Sequence, residues 1–140
     1  MSVMTESIFW KDIKKHSPYV AWNRLENMVG AGMFDVYGTR HGKSVWVELK
    51  IIHSGKVTVR HSQYAWFQKR WAQQMADMLF LARDKNTIQG WRADHLLNPE
   101  RIAQSKVTDS GLVIPVPTPN FLSNKPFDWE GLENWLFMSR

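Results

Sequence analysis

The stretch from Gly32 to Lys50 constrains the fold of this chain more than any other. Its composition predicts two short β-strands, residues 33–37 and 44–52, joined by a polar turn at residues 41–43. Side chains alternate between the two faces of a strand. One face of the second strand therefore carries Trp46, Glu48 and Lys50, and the other carries Val45, Val47, Leu49 and Ile51. A strand with one apolar face and an acid and a lysine on the other predicts a functional site at the edge of a core.

The first of the two strands adds a second acid to that site. Asp35 lies early in this strand, and an antiparallel hairpin brings it beside Glu48. Carboxylate oxygens are hard ligands that suit Mg²⁺, and the main-chain carbonyl of Leu49 offers one more. We expect Lys50 to point its ammonium group at the scissile phosphate or at the attacking water. The pattern Asp-x12-Glu-x-Lys is therefore a candidate for a metal-dependent phosphodiesterase site.

The structural alternative for Glu48 and Lys50 is a solvated strand face with a weak ion pair. Spacing alone favours that alternative, so further residues are needed to decide between the two.

The segment before the hairpin predicts a helix and then a strand. The helix covers Glu6–His16, with Thr5 or Ser2 as its N-cap and Ser17-Pro18 as its end. Its apolar side consists of Ile8, Phe9 and Ile13. Glu6 in the first turn also has a purely structural explanation, the favourable interaction with the helix dipole. A strand is then predicted at residues 19–26, although the composition of residues 20–26 also allows a helix.

The segment after the hairpin predicts a strand, a helix and a buried strand. Residues 57–60 extend the sheet or lie at its edge, and a helix runs from Ser62, its N-cap, to about Met75. Its aromatic stripe is assigned to the core and consists of Tyr64, Phe67, Trp71 and Met75. Residues 78–82 form a continuous apolar run typical of a covered central strand, and residues 87–92 return beside it.

The last third of the chain gives weaker patterns. Short helices are predicted near residues 94–97 and after Pro99, and a capped helix at residues 128–137. Residues 113–119 are expected to be extended, because their three prolines exclude a helix and a central strand. We expect one domain, with its core in residues 1–92 and a C-terminal extension at 93–140 that packs on this core or on a partner subunit.

Composition limits the function classes. Eighteen Lys and Arg outnumber thirteen Asp and Glu, which gives a net charge of +5 and favours a polyanionic partner such as nucleic acid. The chain has no cysteine, which excludes disulfides and thiolate zinc sites, and its five histidines lack metal-ligand spacing. No apolar run approaches the roughly 20 residues that span a bilayer, and no signal peptide is evident, so we expect an intracellular protein.

The motif residues, taken in order along the chain, resemble a known family. Asp35 and Glu48-Leu49-Lys50, with Glu6 in a preceding helix and Gln63 in the following one, resemble the PD-(D/E)XK nuclease superfamily. Within it the likeness is to archaeal-type Holliday junction resolvases and to phage VRR-NUC-like nucleases, and it spans residues 6–82. Phe34 stands where this family usually has proline. The resemblance implies an α/β, restriction-endonuclease-like αβββαβ core: a mixed central sheet flanked by helices.

The resemblance also implies roles for these residues. Asp35 and Glu48 would hold Mg²⁺, with Mn²⁺ able to substitute, while Lys50 orients or activates water and Gln63 supports the site. A fourth acid is expected from Glu6 or Glu26. Glu6 matches the helix carboxylate of resolvases, whereas Glu26 ends a strand beside Asp35; Glu6 is slightly favoured as the metal ligand.

The function expected from this resemblance is a metal-dependent endodeoxyribonuclease that cuts branched DNA as a homodimer, in a bacterium or a phage-infected host cell. The basic residues expected to contact phosphates are Lys43, Lys56, Arg60, Lys69 and Arg70. Two alternatives remain. One is a nuclease for linear or flap DNA, and the other is a non-catalytic DNA- or protein-binding module with the aromatic C-terminal segment as its contact surface.

Overall fold

The computed structural model of this protein describes residues 4–25, 33–71 and 77–138. Five helices and nine strands occur in this part of the chain. In chain order they are α1 (Glu6–His16), β1 (Ala21–Arg24), β2 (Val36–Arg40), β3 (Lys43–Ile51), β4 (Lys56–Val59), α2 (His61–Trp71), β5 (Asp77–Arg83), β6 (Thr87–Arg92), α3 (Ala93–Leu96), α4 (Pro99–Gln104), β7 (Lys106–Thr108), β8 (Gly111–Pro115), β9 (Phe121–Asn124) and α5 (Trp129–Leu136).

A six-stranded sheet forms the centre of the fold, with the strand order β1-β2-β3-β5-β6-β9. Strands β3 and β5 are parallel, and the other neighbouring pairs are antiparallel. The chain leaves the sheet after β3, passes through β4 and α2, and returns as β5, which is the crossover that a parallel pair requires. The predicted α/β class, with a mixed central sheet flanked by helices, is confirmed.

A second sheet of three strands, in the order β4-β8-β7, was not predicted from the sequence. The sequence predicted that the strand after residue 56 extends or edges the main sheet, but β4 instead pairs with β8, far along the chain. Residues 113–119 were predicted not to contain a central strand, and this is wrong for their first part. Strand β8 is the middle strand of the small sheet. It tolerates Pro115, which lacks an N–H, because this proline occupies the last position of the strand.

The main sheet is covered on both faces by apolar side chains. On one face, α1 and α5 pack over the side chains of Val36, Val45, Val47, Leu49, Leu79 and Leu81. On the other face, α2, α3 and the small sheet pack over Phe34, Ile52, Met78, Phe80, Ala82 and Trp91. The alternation of β3 therefore sends Glu48 and Lys50 toward the face that α2 and β4 cover.

Helix α1 has the predicted bounds but a different buried side. Thr5 is its N-cap, and the Thr5 hydroxyl accepts a hydrogen bond from the Ile8 N–H at 3.1 Å. Phe9, Trp10 and Ile13 are buried, whereas Ile8 is 39% exposed, so the prediction of Ile8 as a core residue is wrong. Trp10 lies one residue from Phe9 and one turn from Ile13, which places it on the same side of the helix.

Helix α2 begins at His61, one residue before the predicted start. The Arg60 carbonyl accepts the Tyr64 N–H at 3.1 Å and so occupies the N-cap position that was predicted for Ser62. Of the predicted aromatic stripe, Phe67 is buried and Trp71 is 38% exposed. Tyr64 packs against the core as a half-buried residue. Met75 lies outside the described residues.

The β2–β3 turn consists of His41 and Gly42, both with positive φ (53° and 73°). A two-residue turn of this kind matches the twist of antiparallel strands and fixes their register. Arg40 pairs with Lys43 and Val36 pairs with Val47, so β2 begins later than predicted and Asp35 immediately precedes it.

Residues after 92 contribute to both sheets. Strand β9 lies at the edge of the main sheet, β7 and β8 complete the small sheet, and α5 packs against the same apolar cluster as α1. The functional division at residue 92 stays a prediction. Within the described ranges, no helix has the length and apolar character needed to cross a membrane.

Candidate active site

Three carboxylates converge at one end of the β2–β3 hairpin. One oxygen atom each from Glu6, Asp35 and Glu48 lies within 4.8 Å of the others. In the described part of the chain, no other group of three His, Asp or Glu side chains meets this condition. Glu6 is the first residue of α1, Asp35 precedes β2, and Glu48 lies in β3. The site thus draws one acid from each of three elements.

Strand pairing explains why Asp35 and Glu48 meet. Val36 pairs with Val47 in the antiparallel hairpin. Asp35 precedes Val36 and Glu48 follows Val47, so these two residues lie opposite each other. The Asp35 backbone N–H donates a hydrogen bond to Glu48 Oε1 at 3.0 Å. On the other side of the hairpin, the Leu25 N–H donates to the Asp35 carbonyl at 2.8 Å, which ties Asp35 to the end of β1.

Lys50 and Gln63 complete a buried polar network around Glu48. Lys50 Nζ donates to Gln63 Oε1 at 2.8 Å and lies 3.3 Å from Glu48 Oε2. Gln63 Nε2 donates to Glu48 Oε2. Glu48 and Gln63 are each 1% exposed and Lys50 is 7% exposed. The solvated strand face that served as the structural alternative is therefore not what these residues form.

Gln63 owes its position to the start of α2. Its Oε1 accepts the Arg60 N–H at 3.0 Å, as the third helical residue of a capping box does for its N-cap. The same oxygen accepts the Lys50 ammonium, so the amide nitrogen is the atom that faces Glu48. A local helix-capping interaction thus fixes the side chain that links Lys50 to Glu48.

Burial dominates the electrostatics of the three acids. It raises the pKa of Glu48 to about 7, although the Lys50 charge opposes this shift. Burial also raises the pKa of Glu6 and of Asp35, again against Lys50. The charge of Asp35 raises the pKa of both Glu6 and Glu48, since like charges disfavour each other's ionised forms. Ionising all three acids together is therefore unfavourable, and a bound cation would offset the repulsion between the carboxylates.

This donor set fits a divalent metal ion. Magnesium and manganese prefer hard oxygen ligands, and two or three carboxylates suffice because the ion retains waters. The Leu49 backbone N–H lowers the pKa of Asp35 and so faces this carboxylate. The N–H and C=O of one strand residue project from the same edge. The Leu49 carbonyl therefore projects toward the acids, which is consistent with its predicted role as a ligand.

The residues that were predicted to contact phosphate lie in different parts of the protein. The Arg60 N–H donates to Gln63 Oε1 at 3.0 Å, and the Arg60 charge lowers the pKa of Glu6 and of Asp35, so Arg60 lies near the acids. Lys43 lies at the opposite end of β3 from Glu48, and its ammonium group is 3.2 Å from Asp77 Oδ2.

The remaining basic residues are exposed. Lys56 begins β4, Lys69 lies in the last turn of α2, and the Arg70 guanidinium stacks 5.6 Å from the Trp66 ring centroid. Their contact with DNA stays a prediction. Glu26, the second candidate for the fourth acid, lies outside the described residues.

Arg24 is a site residue that the sequence reasoning missed. Its charge lowers the pKa of Glu6 and of Asp35. Arg24 pairs with Val36 across β1 and β2, next to Asp35. The antiparallel pairing that suggested Glu26 as a neighbour of Asp35 applies equally to Arg24, so the signal was present in the sequence.

Comparison with known proteins finds similarity to solved structures. No family model and no curated protein matches the amino-acid sequence. A solved structure that it resembles is Hjc, a Holliday junction resolvase from the archaeal hyperthermophile Archaeoglobus fulgidus, with 9% identity and a TM-score of 0.49. The match covers 79% of this chain and 83% of Hjc. The chemistry of the present site rests on its own side chains.

Proposed function

We propose that this protein is a divalent-metal-dependent nuclease that hydrolyses phosphodiester bonds in DNA, with branched DNA as its preferred substrate. One observation carries the proposal: three acids from separate elements converge within 4.8 Å beside a buried lysine. Like charges of raised pKa are not brought together for stability, because each costs desolvation energy and repels the others. A site of this kind is typical of metal-assisted hydrolysis.

Glu6, Asp35 and Glu48 would hold the ion, with the Leu49 carbonyl as a further ligand. When bound there, Mg²⁺ supplies Lewis acidity toward a phosphate oxygen. The three carboxylates must be ionised to bind it, so the raised pKa values make binding weaker at low pH.

Lys50 would act on the substrate. An ammonium group has three donors, and Gln63 and Glu48 engage two of them. The third is left for an oxygen of the attacking water or of the phosphate. Because Gln63 is itself held by the Arg60 N–H, the direction of this donor is fixed before substrate arrives.

Two arginines add positive charge near the acids. Arg24 and Arg60 both act on Glu6 and Asp35, and Arg24 comes from β1 whereas Arg60 precedes α2. The exposed Arg60 guanidinium suits bidentate contact with phosphate oxygens. Together with the net charge of +5, the two positive charges favour a polyanionic backbone as substrate.

Selectivity for branched DNA, and action as a homodimer, are supported by the resemblance of the motif to Holliday junction resolvases. A two-fold dimer supplies two sites for the two symmetric strands of a junction. No base-reading motif is evident in the sequence, which favours recognition of the shape of the DNA backbone.

A substrate panel tests the proposal. Labelled Holliday junction, fork, flap and linear duplex DNA are incubated with the protein in Mg²⁺, Mn²⁺ or EDTA, and the products are resolved on a sequencing gel. We expect metal-dependent cuts that are fastest on the junction. Asp35→Asn and Lys50→Ala should bind the junction but not cut it, whereas Lys106→Ala, an exposed change in β7, should cut normally. Unchanged cleavage in both site variants would refute the assignment.

Mixing subunits tests the dimer. Wild-type protein is combined with an excess of Asp35→Asn protein, and the fate of single junctions is followed. A homodimer with two sites should then nick one strand without resolving the junction. If resolution falls only in proportion to the amount of wild-type protein, the subunits act independently.

A further inference from the structure

An open cleft of about 480 Å³ adjoins the carboxylates and has no role in the motif. One wall is the start of α1, residues 4–6, and the other includes Lys50, His53 and Thr58. Since Glu6 and Lys50 belong to the site, whatever occupies the cleft lies directly beside the reacting phosphate. Its volume is in the range of pockets that hold a small molecule, so it has room for about one nucleotide.

The tight turn between β3 and β4 fixes the wall that carries His53. The His53 N–H donates to the Lys56 carbonyl at 2.9 Å, and the Lys56 N–H donates to the His53 carbonyl at 3.0 Å. Ser54 and Gly55 between them both have positive φ, 51° and 72°. Residues directly opposite each other in an antiparallel pair project to the same face. The side chains of His53 and Lys56 therefore share one face of this turn.

Strand β4 continues that face toward the carboxylates. Val57 and Val59 are 2% and 0% exposed and point into the core. By alternation, Lys56, Thr58 and Arg60 point the other way, and all three are exposed. Thr58 lines the cleft, and Arg60 acts on Glu6 and Asp35. The outer face of β4 is thus a row of polar side chains that runs past the cleft to the site.

This row offers hydrogen-bond donors in the cleft and next to it. His53 and Thr58 line the cleft, and the His53 ring and the Thr58 hydroxyl each carry a donor. Lys56 and Arg60, on either side of Thr58 in the row, can only donate. On the facing wall, the Thr5 hydroxyl already accepts the Ile8 N–H, so its own proton is available to donate. Donors from both walls suit the oxygens of a phosphate, which can only accept.

We propose that the outer face of β4, through His53, Lys56 and Thr58, binds the phosphate that neighbours the cut phosphate on the same DNA strand. The inference rests on the proposed nuclease function and deepens it, because it adds a second phosphate site outside the motif. This second contact fixes the direction in which the cut strand lies across the carboxylates. It therefore also determines on which side of the cut phosphate the DNA strand is held by the protein.

Neutral phosphate analogues test this contact. Substrates are synthesised in which one phosphate at a time, at each of the three positions on either side of the cut, is a methylphosphonate. Single-turnover cleavage in Mg²⁺ is measured for the wild type, His53→Ala, Lys56→Ala, Thr58→Val and Lys106→Ala. Lys106 is a matched exposed lysine on β7, the other edge strand of the small sheet.

We expect one neighbouring position at which the neutral linkage slows the wild type about tenfold, the effect of losing a charge-assisted hydrogen bond. His53→Ala and Lys56→Ala should slow cleavage of unmodified DNA by a similar factor. In these two variants the neutral linkage should slow cleavage by less than about twofold further, because the residue and the phosphate act through the same contact. Thr58→Val should show a smaller coupling of the same sign. Lys106→Ala should keep the full tenfold effect.

The outcomes separate this inference from the function on which it rests. A wild type that cuts no DNA in Mg²⁺ overturns both. A wild type that cuts, with interference of equal size in all variants or at no neighbouring phosphate, overturns the β4 contact alone. His53, Lys56 and Thr58 are exposed, so the variants should fold, and thermal melting checks each one before its rate is compared.

Discussion

Strand β3 carries one lysine near each end, and each lysine pairs with an acid: Lys43 with Asp77 of the neighbouring strand β5, and Lys50 with Glu48 of β3 itself. The two pairs differ in burial and hardly in distance. Lys43 lies 3.2 Å from Asp77, and these side chains are 27% and 29% exposed. Lys50 lies 3.3 Å from Glu48, and these are 9% and 1% exposed. An exposed pair contributes about 0–1 kcal/mol to stability, because water screens it. At the buried end, desolvation outweighs the attraction and holds the pKa of Glu48 at about 7.

The difference teaches that separation alone does not identify a site. Both pairs satisfy the same distance criterion, but only the buried one lies within a group of acids whose pKa values are all raised. A buried pair is weak evidence for stability and better evidence for function, since its desolvation cost needs another explanation.

The largest contrast should appear in catalysis. Replacing Lys50 with Ala removes the donor that faces the substrate, and we expect single-turnover cleavage of a DNA junction to slow by about 10²–10⁴-fold. Replacing Lys43 with Ala removes at most one distant phosphate contact and should slow it by less than about threefold. Rates are measured on the same labelled junction at saturating protein. Similar losses in the two variants would erase the functional distinction between the ends of β3.

The pH dependence of stability should be determined by the buried Lys50–Glu48 pair. Folded Glu48 holds its proton up to about pH 7, whereas the unfolded chain releases it near the ordinary value of 4.5. The folded state therefore binds more protons between these values, and the free energy of unfolding falls by about 3 kcal/mol as pH rises from about 4.5 to 7. Glu6 and Asp35 act in the same direction.

Urea unfolding in EDTA at a series of pH values measures this effect. Glu48→Gln should remove most of the difference between pH 5 and pH 8, while Lys43→Ala should keep it, because Lys43 is not among the charges that act on Glu48. A wild type whose free energy of unfolding rises through this window would contradict the raised pKa.

Metal ions that bind the carboxylates beside Lys50 should stabilise the folded protein. At pH 8, Mg²⁺ at a hundredfold excess over its Kd should raise the free energy of unfolding by about 2.7 kcal/mol. For a chain of this size that corresponds to roughly 5–10 °C in Tm. Differential scanning fluorimetry with and without Mg²⁺ records the shift. It should be lost in Asp35→Asn and retained in Lys43→Ala, and an equal shift in both would place the ion elsewhere.

The smallest contrast concerns the hydrogen bonds at the two ends. Gln63→Ala leaves Glu48, Lys50 and the Arg60 N–H without their shared partner, which should cost about 2 kcal/mol of stability. Ser44→Ala removes one contact, at 3.1 Å to Thr39, and should cost less than about 1 kcal/mol. Chemical denaturation at pH 8 compares them. A larger cost for Ser44→Ala would mean that the Gln63 network is not integral to the fold.

The sequence predicted the local parts of this molecule well. The bounds of α1 follow from Thr5 as its cap and Ser17-Pro18 as its end, and both signals lie within the helix or next to it. The common face of Glu48 and Lys50 follows from alternation alone. The mixed central sheet was predicted from the order of helices and strands along the first two-thirds of the chain.

The parts that failed depend on contacts between distant residues. Pairing of β4 with β8 joins residues more than 50 positions apart, and no local pattern specifies it. The burial of Glu48 and Lys50 was also out of reach, since it depends on α2 and β4 covering that face. Ile8 was misassigned because only the packing of α1 on the sheet shows which side of the helix Trp10 occupies.

The His41–Gly42 turn makes the number of residues in β3 as important as their identity. Five residues separate Gly42 from Glu48, and each added or deleted residue reverses the face of every side chain that follows. A single-residue insertion at Ser44 would therefore send the acid and the lysine into the core beneath α1, with every site residue still present. An insertion of two residues would restore the face but move Glu48 about 7 Å from Asp35. Scanning insertions through β3 should find no tolerated length change, whereas loops elsewhere on the surface accept them.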